Sequence, residues 1–469
     1  MSEINFILNN ELVSLEINPA EVLLDFIRKQ KHLMGTKEGC KEGDCGACTV
    51  LIGTLHDNKV EYKSVNSCLM PIGNVNNKHV VTIEGINSEQ FTPIQENFIK
   101  EGASQCGFCT PGFIVSLTGY IINCTNYNYY DAVNAIAGNI CRCTGYTSIK
   151  NVLKNLENNN DSKHSGDKIL QLIKMNFLPA YFSGIASRLK EMKIIKSNGA
   201  GAKINKIISG GTDLFVQQPD ELLETETYLI GDRKLSFITI LNNTCVVGAT
   251  ATFEMIKKSK VFRDYFPRLE HYMDLIASLP IRNSATIGGN FVNASPIGDT
   301  TIFFLALNST LNLINGNDKR KILLRDFYKG YKSLNLKPGE YVDSLEFKLP
   351  RTNSLFNFEK VSKRSYLDIA SANSAISLEV KNNMIYEAHL SAGGVAPIPL
   401  YLKNTCKFLT NKKIEPGLVE EAAQIMQDEI TPISDVRGSA EYKRILIGQL
   451  FKAHFIELFP EIIKMEELV

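Results

Sequence analysis

The sequence has almost no net charge and no long apolar run. Among 469 residues, 51 are lysine or arginine and 50 are aspartate or glutamate, giving a net charge of +1. This balance gives no reason to expect nucleic acid or an anionic membrane as partner. No apolar run reaches the roughly 18–20 residues needed to span a bilayer. The first ten residues include Glu3 and lack the basic-then-apolar layout of a secretory signal. We therefore expect a cytoplasmic protein without a membrane span.

What the sequence does contain is clustered cysteine. Eight of its eleven cysteines fall into two groups near the N-terminus. The first group is Cys40, Cys45, Cys48 and Cys68, and the second is Cys106, Cys109, Cys141 and Cys143. In a reducing compartment, clustered cysteines are more often metal ligands or catalysts than disulfides. Two four-thiolate sites indicate one-electron chemistry.

The length and the changes in periodicity predict a multidomain protein of the α+β class. We expect a small α+β domain over residues 1–86, a helical domain over 87–155 and a polar linker over 156–174. Strands and helices alternate over residues 175–350, and a final α/β region covers 351–469.

Local patterns predict particular elements. Residues 4–17 predict a hairpin that turns at Asn9-Asn10. Asn18-Pro19 predicts the N-cap and first position of a helix. A last helix is predicted from Ser439. Four of its side chains are expected to face a core: Tyr442, Leu446, Leu450 and Phe451.

The first cysteine group has the C-x4-C-x2-C spacing of a plant-type [2Fe–2S] ferredoxin. Gly39, Gly43 and Gly46 stand between or beside these cysteines and allow the sharp turns of a loop around a compact cluster. The backbone N–H groups of such a loop can donate to sulfur. The alternative is a structural zinc site, although zinc more often uses two C-x2–4-C knuckles.

The second cysteine group is ambiguous on spacing alone. Its C-x2-C and C-x-C pairs are compatible with zinc as well as with an iron–sulfur cluster. Pro111 stands where a helix would begin, which would place Cys106 and Cys109 near a positive helix terminus.

Two glycine-rich segments are candidates for binding a flavin diphosphate through backbone N–H groups. No G-x-G-x-x-G follows a strand to open a helix, and Gly199-Ala200-Gly201 is too short a match. The first candidate segment is Ile208, Ser209, Gly210, Gly211, Thr212, Asp213 and Leu214. The second is Thr286, Ile287, Gly288, Gly289 and Asn290. Either segment alone is as readily a tight turn.

The residues around the second cysteine group resemble the second iron–sulfur domain of the xanthine dehydrogenase/aldehyde oxidase family of molybdenum hydroxylases. The similar stretches are Gln105–Gly112 and Gly138–Tyr146. The resemblance implies a second [2Fe–2S] cluster on a four-helix domain, packed against a partner's molybdopterin. It places Gln105 where the family hydrogen-bonds the pterin. The remaining cysteines match neither group and are expected to be core residues: Cys124, Cys245 and Cys406.

The two glycine-rich segments, followed by Ser295–Asp299, resemble the FAD domain of the same family. That domain is of the vanillyl-alcohol-oxidase type. The resemblance assigns the flavin diphosphate to both segments, and it assigns further FAD contacts to Asp299, Val342 and Lys360. The aromatic residue that the family has near the flavin ring has no counterpart in Asp274–Ala277.

Taken over the chain, the resemblance is closest to the small iron–sulfur/FAD subunit of bacterial xanthine dehydrogenases. It implies a β-grasp ferredoxin-like domain, a four-helix domain, the FAD domain and a CO-dehydrogenase-flavoprotein-like C-terminal domain. Because nothing in the chain resembles the family's molybdopterin-binding region, we expect a separate molybdenum subunit that oxidises hypoxanthine or xanthine. Electrons would pass through the two [2Fe–2S] clusters to FAD and then to NAD⁺, in a dimer of heterodimers. No side chain of this chain is expected to act as a general acid or base.

Two other functions remain open at this stage. Small subunits of carbon monoxide dehydrogenases, aldehyde oxidoreductases and aromatic hydroxylases use the same cofactors. A zinc-stabilised binding scaffold without redox chemistry is the third possibility.

Overall fold

A computed structural model describes residues 1–158, 167–192, 206–230, 235–364 and 367–468. Residues 159–166 of the predicted linker, and Gly199–Gly201, lie outside this part of the chain. The chain divides into two compact units. The first is Met1–Gly231 with Ser278–Ala285, and the second is Asp232–Ala277 with Thr286–Val469.

The first unit begins with a five-stranded sheet. Its strands are β1 Ser2–Leu8, β2 Glu11–Ile17, β3 Thr49–His56, β4 Lys59–Asn66 and β5 His79–Val81. They lie in the order β2-β1-β5-β3-β4, with β1 and β5 parallel and the other neighbours antiparallel. The predicted hairpin is confirmed, because β1 pairs with β2 and Phe6 lies opposite Val13. Apolar side chains of alternating positions, including Ile4 and Phe6, form the buried face of this sheet.

The helix after the hairpin starts later than predicted. It begins as α1 Leu23–Asp25 and continues as a π-helical turn, Phe26–Gln30. Asn18 does not cap it: its Oδ1 accepts from the N–H of Ala20, and Val22 holds the N-cap position. Asparagine favours such local turns as much as helix caps, so the N-cap prediction was wrong.

Four helices form the predicted helical domain. They are α2 Pro93–Lys100, α3 Thr110–Asn123, α4 Tyr129–Ile136 and α5 Thr147–Asn158. Helix α2 begins with a capping box between Thr92 and Gln95. Helix α3 begins at Cys109 as N-cap with Pro111 in its first turn, as the sequence predicted. Its apolar residues Phe113 and Leu117 are fully buried in the core that the helices share.

The rest of the first unit consists of short elements. Helix α6 lies inside the range predicted as linker, and its Leu172 is buried against the helical core. Strands β6 and β7 pair in parallel. The bounds are α6 Lys168–Lys174, α7 Ile185–Glu191, β6 Lys206–Ile208, α8 Leu214–Gln217, α9 Pro219–Glu224, β7 Thr227–Leu229 and α13 Leu279–Arg282.

The second unit contains two antiparallel five-stranded sheets. The first has the order β11-β10-β14-β9-β8, and the second has β15-β16-β17-β18 with β19 paired to β17. The strands are β8 Ile238–Leu241, β9 Thr244–Gly248, β10 Thr310–Asn315, β11 Asp318–Leu323, β12 Tyr328–Gly330, β13 Ser333–Leu334, β14 Tyr341–Lys348, β15 Ser354–Val361, β16 Ala372–Lys381, β17 Met384–Gly393, β18 Leu400–Tyr401 and β19 Lys412–Lys413. Strands β12 and β13 form a separate antiparallel pair.

Helices cover these sheets. They are α10 Phe253–Lys258, α11 Lys260–Tyr265, α12 Leu269–Asp274, α14 Ile287–Asn293, α15 Asp299–Leu305, α16 Lys403–Leu409, α17 Pro416–Glu429 and α18 Ala440–Leu458. Ser439 caps α18, as predicted. Leu450 and Phe451 are buried and Leu446 is partly buried, but Tyr442 is 44% exposed, so its predicted core position was wrong. No helix in the described ranges is long and apolar enough to cross a membrane.

Candidate cofactor sites

The fold brings the first cysteine group together from three segments. Cys40 and Cys45 lie in the loop after the π-helical turn, Cys48 lies directly before β3, and Cys68 follows β4. The sulfur atoms of Cys48 and Cys68 are 3.3 Å apart. Cys40 and Cys45 are also in contact, because the N–H of Cys45 donates to Cys40 Sγ at 3.4 Å. The group is therefore arranged as two close pairs.

The loop has the backbone that its glycines predicted. Gly43 and Gly46 have φ values of +82° and +65°, which L-residues with side chains rarely adopt. The N–H groups of Glu42 and Cys45 donate to Cys40 Sγ at 3.5 and 3.4 Å. The expected donation from backbone to sulfur is thus present, and such bonds raise the reduction potential of a bound cluster.

The second cysteine group is arranged in the same way. Cys109 is at the N-cap of α3, and Cys141 and Cys143 lie in the loop before α5. The sulfur atoms of Cys106 and Cys143 are 3.6 Å apart. Burial and the nearby Cys141 thiol raise the pKa of Cys109. Cys106 and Cys143 are exposed, whereas Cys141 is buried.

This pairing fits a binuclear cluster. A [2Fe–2S] cluster bound by four cysteines takes two thiolates at each iron, and each group has one pair of sulfur atoms in close contact.

In each close pair of the first group, one thiol has a lowered pKa and therefore ionises more readily. The hydrogen bond from Cys45 lowers the pKa of Cys40 to about 5. The contact with Cys68 likewise lowers the pKa of Cys48, and the same contacts raise the pKa values of the partner thiols, Cys45 and Cys68. Since iron binds the thiolate, these pairs would give up their protons when a cluster is assembled.

The first glycine-rich segment forms a tight turn between β6 and α8. A Cβ on Gly210 would stand 1.9 Å from the carbonyl oxygen of Ser284. Gly211 has a φ of +79°, and a Cβ there would stand 3.0 Å from the carbonyl oxygen of Leu69. Neither position has room for a side chain, and Ile208 before them is buried. The turn is a backbone surface, as a diphosphate cradle requires.

The second glycine-rich segment is a helix start, not a turn. Thr286 is the N-cap of α14, and its hydroxyl accepts from the N–H of Gly289. Gly288 lies in the first helical turn, where a Cβ would stand 2.8 Å from Cβ of Ala249. The expectation of a turn was therefore wrong, because the threonine cap stabilises a helix in spite of two glycines. The first N–H groups of this helix are bonded within the protein: those of Ile287 and Gly288 donate to the carbonyl oxygens of Ala251 and Ala249 at 3.0 and 2.8 Å. The two glycine-rich segments belong to different units.

The other predicted flavin contacts lie in the second unit. The side chain of Lys360, on β15, is almost inaccessible to solvent, and its Nζ contacts Asp299 Oδ2 at 2.8 Å and the carbonyl oxygen of Leu275 at 2.7 Å. Asn373 donates to the other oxygen of Asp299 at 2.6 Å. Val342 is buried on β14. The structure thus joins Lys360 to Asp299, an ion pair that the sequence did not predict.

The three remaining cysteines stay outside both groups. Cys245 and Cys406 are buried, as predicted for core residues, whereas Cys124 is half-buried. Gln105 is exposed beside Cys106. The sequence also gave no sign that Asn139 contacts the first cysteine loop, because that contact joins residues 93 positions apart.

Four family descriptions match successive parts of the chain. Residues 6–73 match a 2Fe-2S iron–sulfur cluster binding domain, and residues 82–154 match a [2Fe-2S] binding domain. Residues 184–351 match the FAD binding domain in molybdopterin dehydrogenase. Residues 358–458 match the CO dehydrogenase flavoprotein C-terminal domain.

This chain is also similar to individual proteins, over all or part of its length. Aldehyde oxidase 1 of Bos taurus is 28% identical over 100% of this chain and 40% of its own length. Xanthine dehydrogenase/oxidase of Rattus norvegicus is 26% identical over 97% of this chain and 39% of its own. The chain thus spans about 40% of the length of these relatives. A carbon monoxide dehydrogenase structure from Hydrogenophaga pseudoflava shares the fold, with a TM-score of 0.52 and 22% identity over 55% of this chain and 91% of that chain.

Proposed function

The chain belongs to the molybdenum hydroxylase family, of which it forms the iron–sulfur and FAD part, and we propose that it is the electron-transfer subunit of a xanthine dehydrogenase. A separate molybdopterin subunit would oxidise hypoxanthine or xanthine. When bound, the clusters would supply one-electron transfer and FAD the conversion between one- and two-electron steps, with NAD⁺ as the final acceptor. We place this complex in the cytoplasm as a dimer of heterodimers.

The observation that carries the proposal is the pairing of thiols within the two cysteine groups. Each cysteine group has one pair of sulfur atoms in close contact, Cys48–Cys68 at 3.3 Å and Cys106–Cys143 at 3.6 Å, and this supports two thiolates at each of two irons. We assign the first group to the cluster of the domain 1–86 and the second to the cluster of the domain 87–155. On this assignment Cys40 and Cys45 share one iron, Cys48 and Cys68 the other.

The flavin would be held in the remaining domains, 175–350 and 351–469. We assign its diphosphate to Ile208–Leu214 and Thr286–Asn290, and further contacts to Asp299, Val342 and Lys360. The tight glycine turn supports the first half of this assignment, because its backbone at Gly210 and Gly211 carries no side chains and has room for none. The second half rests on the family resemblance of Thr286–Asn290.

The molybdopterin partner would cover the exposed end of the second cysteine group. Gln105, Cys106 and Phe108 are all exposed there, although a large aromatic side chain is normally buried. We propose that Gln105 contacts the pterin of the partner. Gln105→Ala should slow electron transfer from the partner without loss of iron. Gln90→Ala, which changes an exposed glutamine of a loop in the same unit, is the matched control.

The decisive experiment is the visible spectrum of the anaerobically purified chain, with iron and flavin quantified per polypeptide. We expect about four irons and one FAD, bleached by dithionite, and flavin reduction by NADH. A colourless protein that holds zinc would refute the electron-transfer function. Flavin that dithionite reduces and NADH does not would refute NAD⁺ as the acceptor.

The substrate of the complex has a second candidate. Similarity to a curated aldehyde oxidase is as high as that to a xanthine dehydrogenase, so an aldehyde could replace the purine. Co-purification with the molybdenum subunit, followed by reduction of the bound flavin with xanthine or with an aldehyde, separates the two candidates.

A further inference from the structure

The two cysteine loops are joined to each other by direct hydrogen bonds. The N–H of Ile140 donates to the carbonyl oxygen of Cys45 at 3.0 Å. Next to it, Nδ2 of Asn139 donates to the carbonyl oxygen of Gly46 at 3.0 Å. Ile140 directly precedes Cys141, so a ligand of each group lies within one residue of this junction.

Asn139 is held rigidly at the junction. Its side chain is buried, with 4% of the residue exposed. The hydroxyl of Ser116, on α3, donates to its Oδ1 at 2.8 Å. Because the carbonyl of Gly46 can only accept, Nδ2 must face it, and the two bonds fix the amide orientation. Thr49 supports the same carbonyl, with its hydroxyl donating at 2.6 Å.

The backbones around this junction are closely packed. A Cβ on Gly112 would stand 2.4 Å from the carbonyl oxygen of Gly46. A Cβ on Gly46 would stand 2.3 Å from the carbonyl oxygen of Gly138. Helix α3 and both loops therefore meet through glycine backbone, and Asn139 is the side chain that bridges them.

We propose that Asn139 is a positioning residue that fixes the separation and orientation of the two cluster-binding loops, and through them the rate of electron transfer between the clusters. This inference rests on the proposed function, since it presupposes both clusters. In the step concerned, one cluster loses one electron and the other gains it, with no bond made or broken. Tunnelling rates fall steeply with distance, so a small displacement of one loop is enough to slow the step.

The test compares Asn139→Ala with Asn123→Ala in the cofactor-loaded protein. Asn123 also bonds α3 to the first domain, through the carbonyl oxygen of Tyr62 at 2.8 Å, but it contacts neither of the two cysteine groups. With both clusters reduced, the magnetic dipolar interaction between them is measured by electron paramagnetic resonance. We expect a single defined interaction in the parent protein and in Asn123→Ala, and a weakened, broadened one in Asn139→Ala.

Hydrogen exchange at Ile140 gives an independent readout. Loss of the neighbouring buried bond should speed exchange of the Ile140 amide about tenfold in Asn139→Ala, and not in the control. An unchanged dipolar interaction and unchanged exchange in Asn139→Ala, with full iron content, would overturn the inference.

Two further measurements keep the outcomes distinct. Ser116→Ala removes only the bond that orients the amide, and it should shift both readouts in the same direction by a smaller amount even if Asn139→Ala does not fold. Iron and flavin content of the parent protein are measured first. Absence of the clusters would refute the proposed function, whereas intact clusters with an insensitive dipolar interaction would refute the role of Asn139 alone.

Discussion

Gly211 packs directly on the backbone of Leu69: a Cβ on the glycine would stand 3.0 Å from the carbonyl oxygen of the leucine. Leu69 follows Cys68, and Gly211 lies in the proposed diphosphate turn. Cys68 and Ile208 also belong to one buried apolar cluster with Phe215. The turn and the first cysteine group are therefore parts of one packed region within the first unit.

Gly211→Asp should expel FAD. The substitution forces a side chain into a position with φ of +79° and against backbone, and it adds a negative charge where the diphosphate would lie. Flavin per polypeptide is measured after gel filtration. Gly184→Ala is the control, because no atom lies within 4 Å of its Cβ position and its φ is negative. Stoichiometric flavin in Gly211→Asp would show that this turn does not bind the diphosphate.

Cys45→Ser should remove one cluster and leave the other. We expect about half the parent iron content, with FAD retained, because the first group would lose one of four thiolate ligands. Cys124→Ser, at a half-buried cysteine outside both groups, should keep all the iron. Full iron content in Cys45→Ser would exclude Cys45 as a ligand.

Lys360→Met should destabilise the second unit strongly. The side chain of Lys360 is 1% exposed, and its loss leaves the carboxylate of Asp299 buried without its cation. The expected cost is about 3–5 kcal/mol in the free energy of unfolding, measured with urea. Lys321→Met breaks the ion pair with Glu346 at a lysine that is 62% exposed, and should cost no more than about 1 kcal/mol. Equal costs would contradict a structural role for the Lys360 pair.

Stability of the first unit should fall below neutral pH through His79. Burial lowers the pKa of His79 to about 3. Its Nε2 donates to the carbonyl of Asn9 and its Nδ1 accepts from Tyr62, so the ring is folded in its neutral form. An unfolded histidine titrates near 6.5. The contribution of the buried, neutral His79 to the free energy of unfolding is therefore complete above about pH 6.5, and it is lost as the pH falls toward about 3.

The corresponding measurement is the free energy of unfolding at about pH 7 and about pH 5. Because the unfolded histidine takes up one proton as the pH falls through about 6.5, the slope should rise from a small value at about pH 7 toward about 1.4 kcal/mol per pH unit near pH 5. His79→Gln should lower the stability at neutral pH and reduce this slope. The same slope in parent and variant would assign the acid sensitivity to other groups.

Local patterns were enough to predict much of the fold. The hairpin over residues 4–17, the start of α3 at Pro111 and the cap of α18 at Ser439 were all correct. Each depends on turn chemistry, capping or apolar spacing within a few residues. The predictions for Asn18 and Tyr442 were wrong because the local sequence at each position is compatible with two arrangements. Tertiary packing selects one of them, a local turn at Asn18 and an exposed side chain at Tyr442.

The sequence by itself determined which residues are candidates for the cofactor sites, because the spacing of the cysteines and the glycines between them lies within short stretches of the chain. Only the tertiary structure decided how those residues are grouped: which thiols pair, that Lys360 meets Asp299, and that Asn139 reaches Gly46. These contacts join residues 20 to 93 positions apart. Such contacts form only when distant segments pack together, and no local periodicity or propensity encodes them.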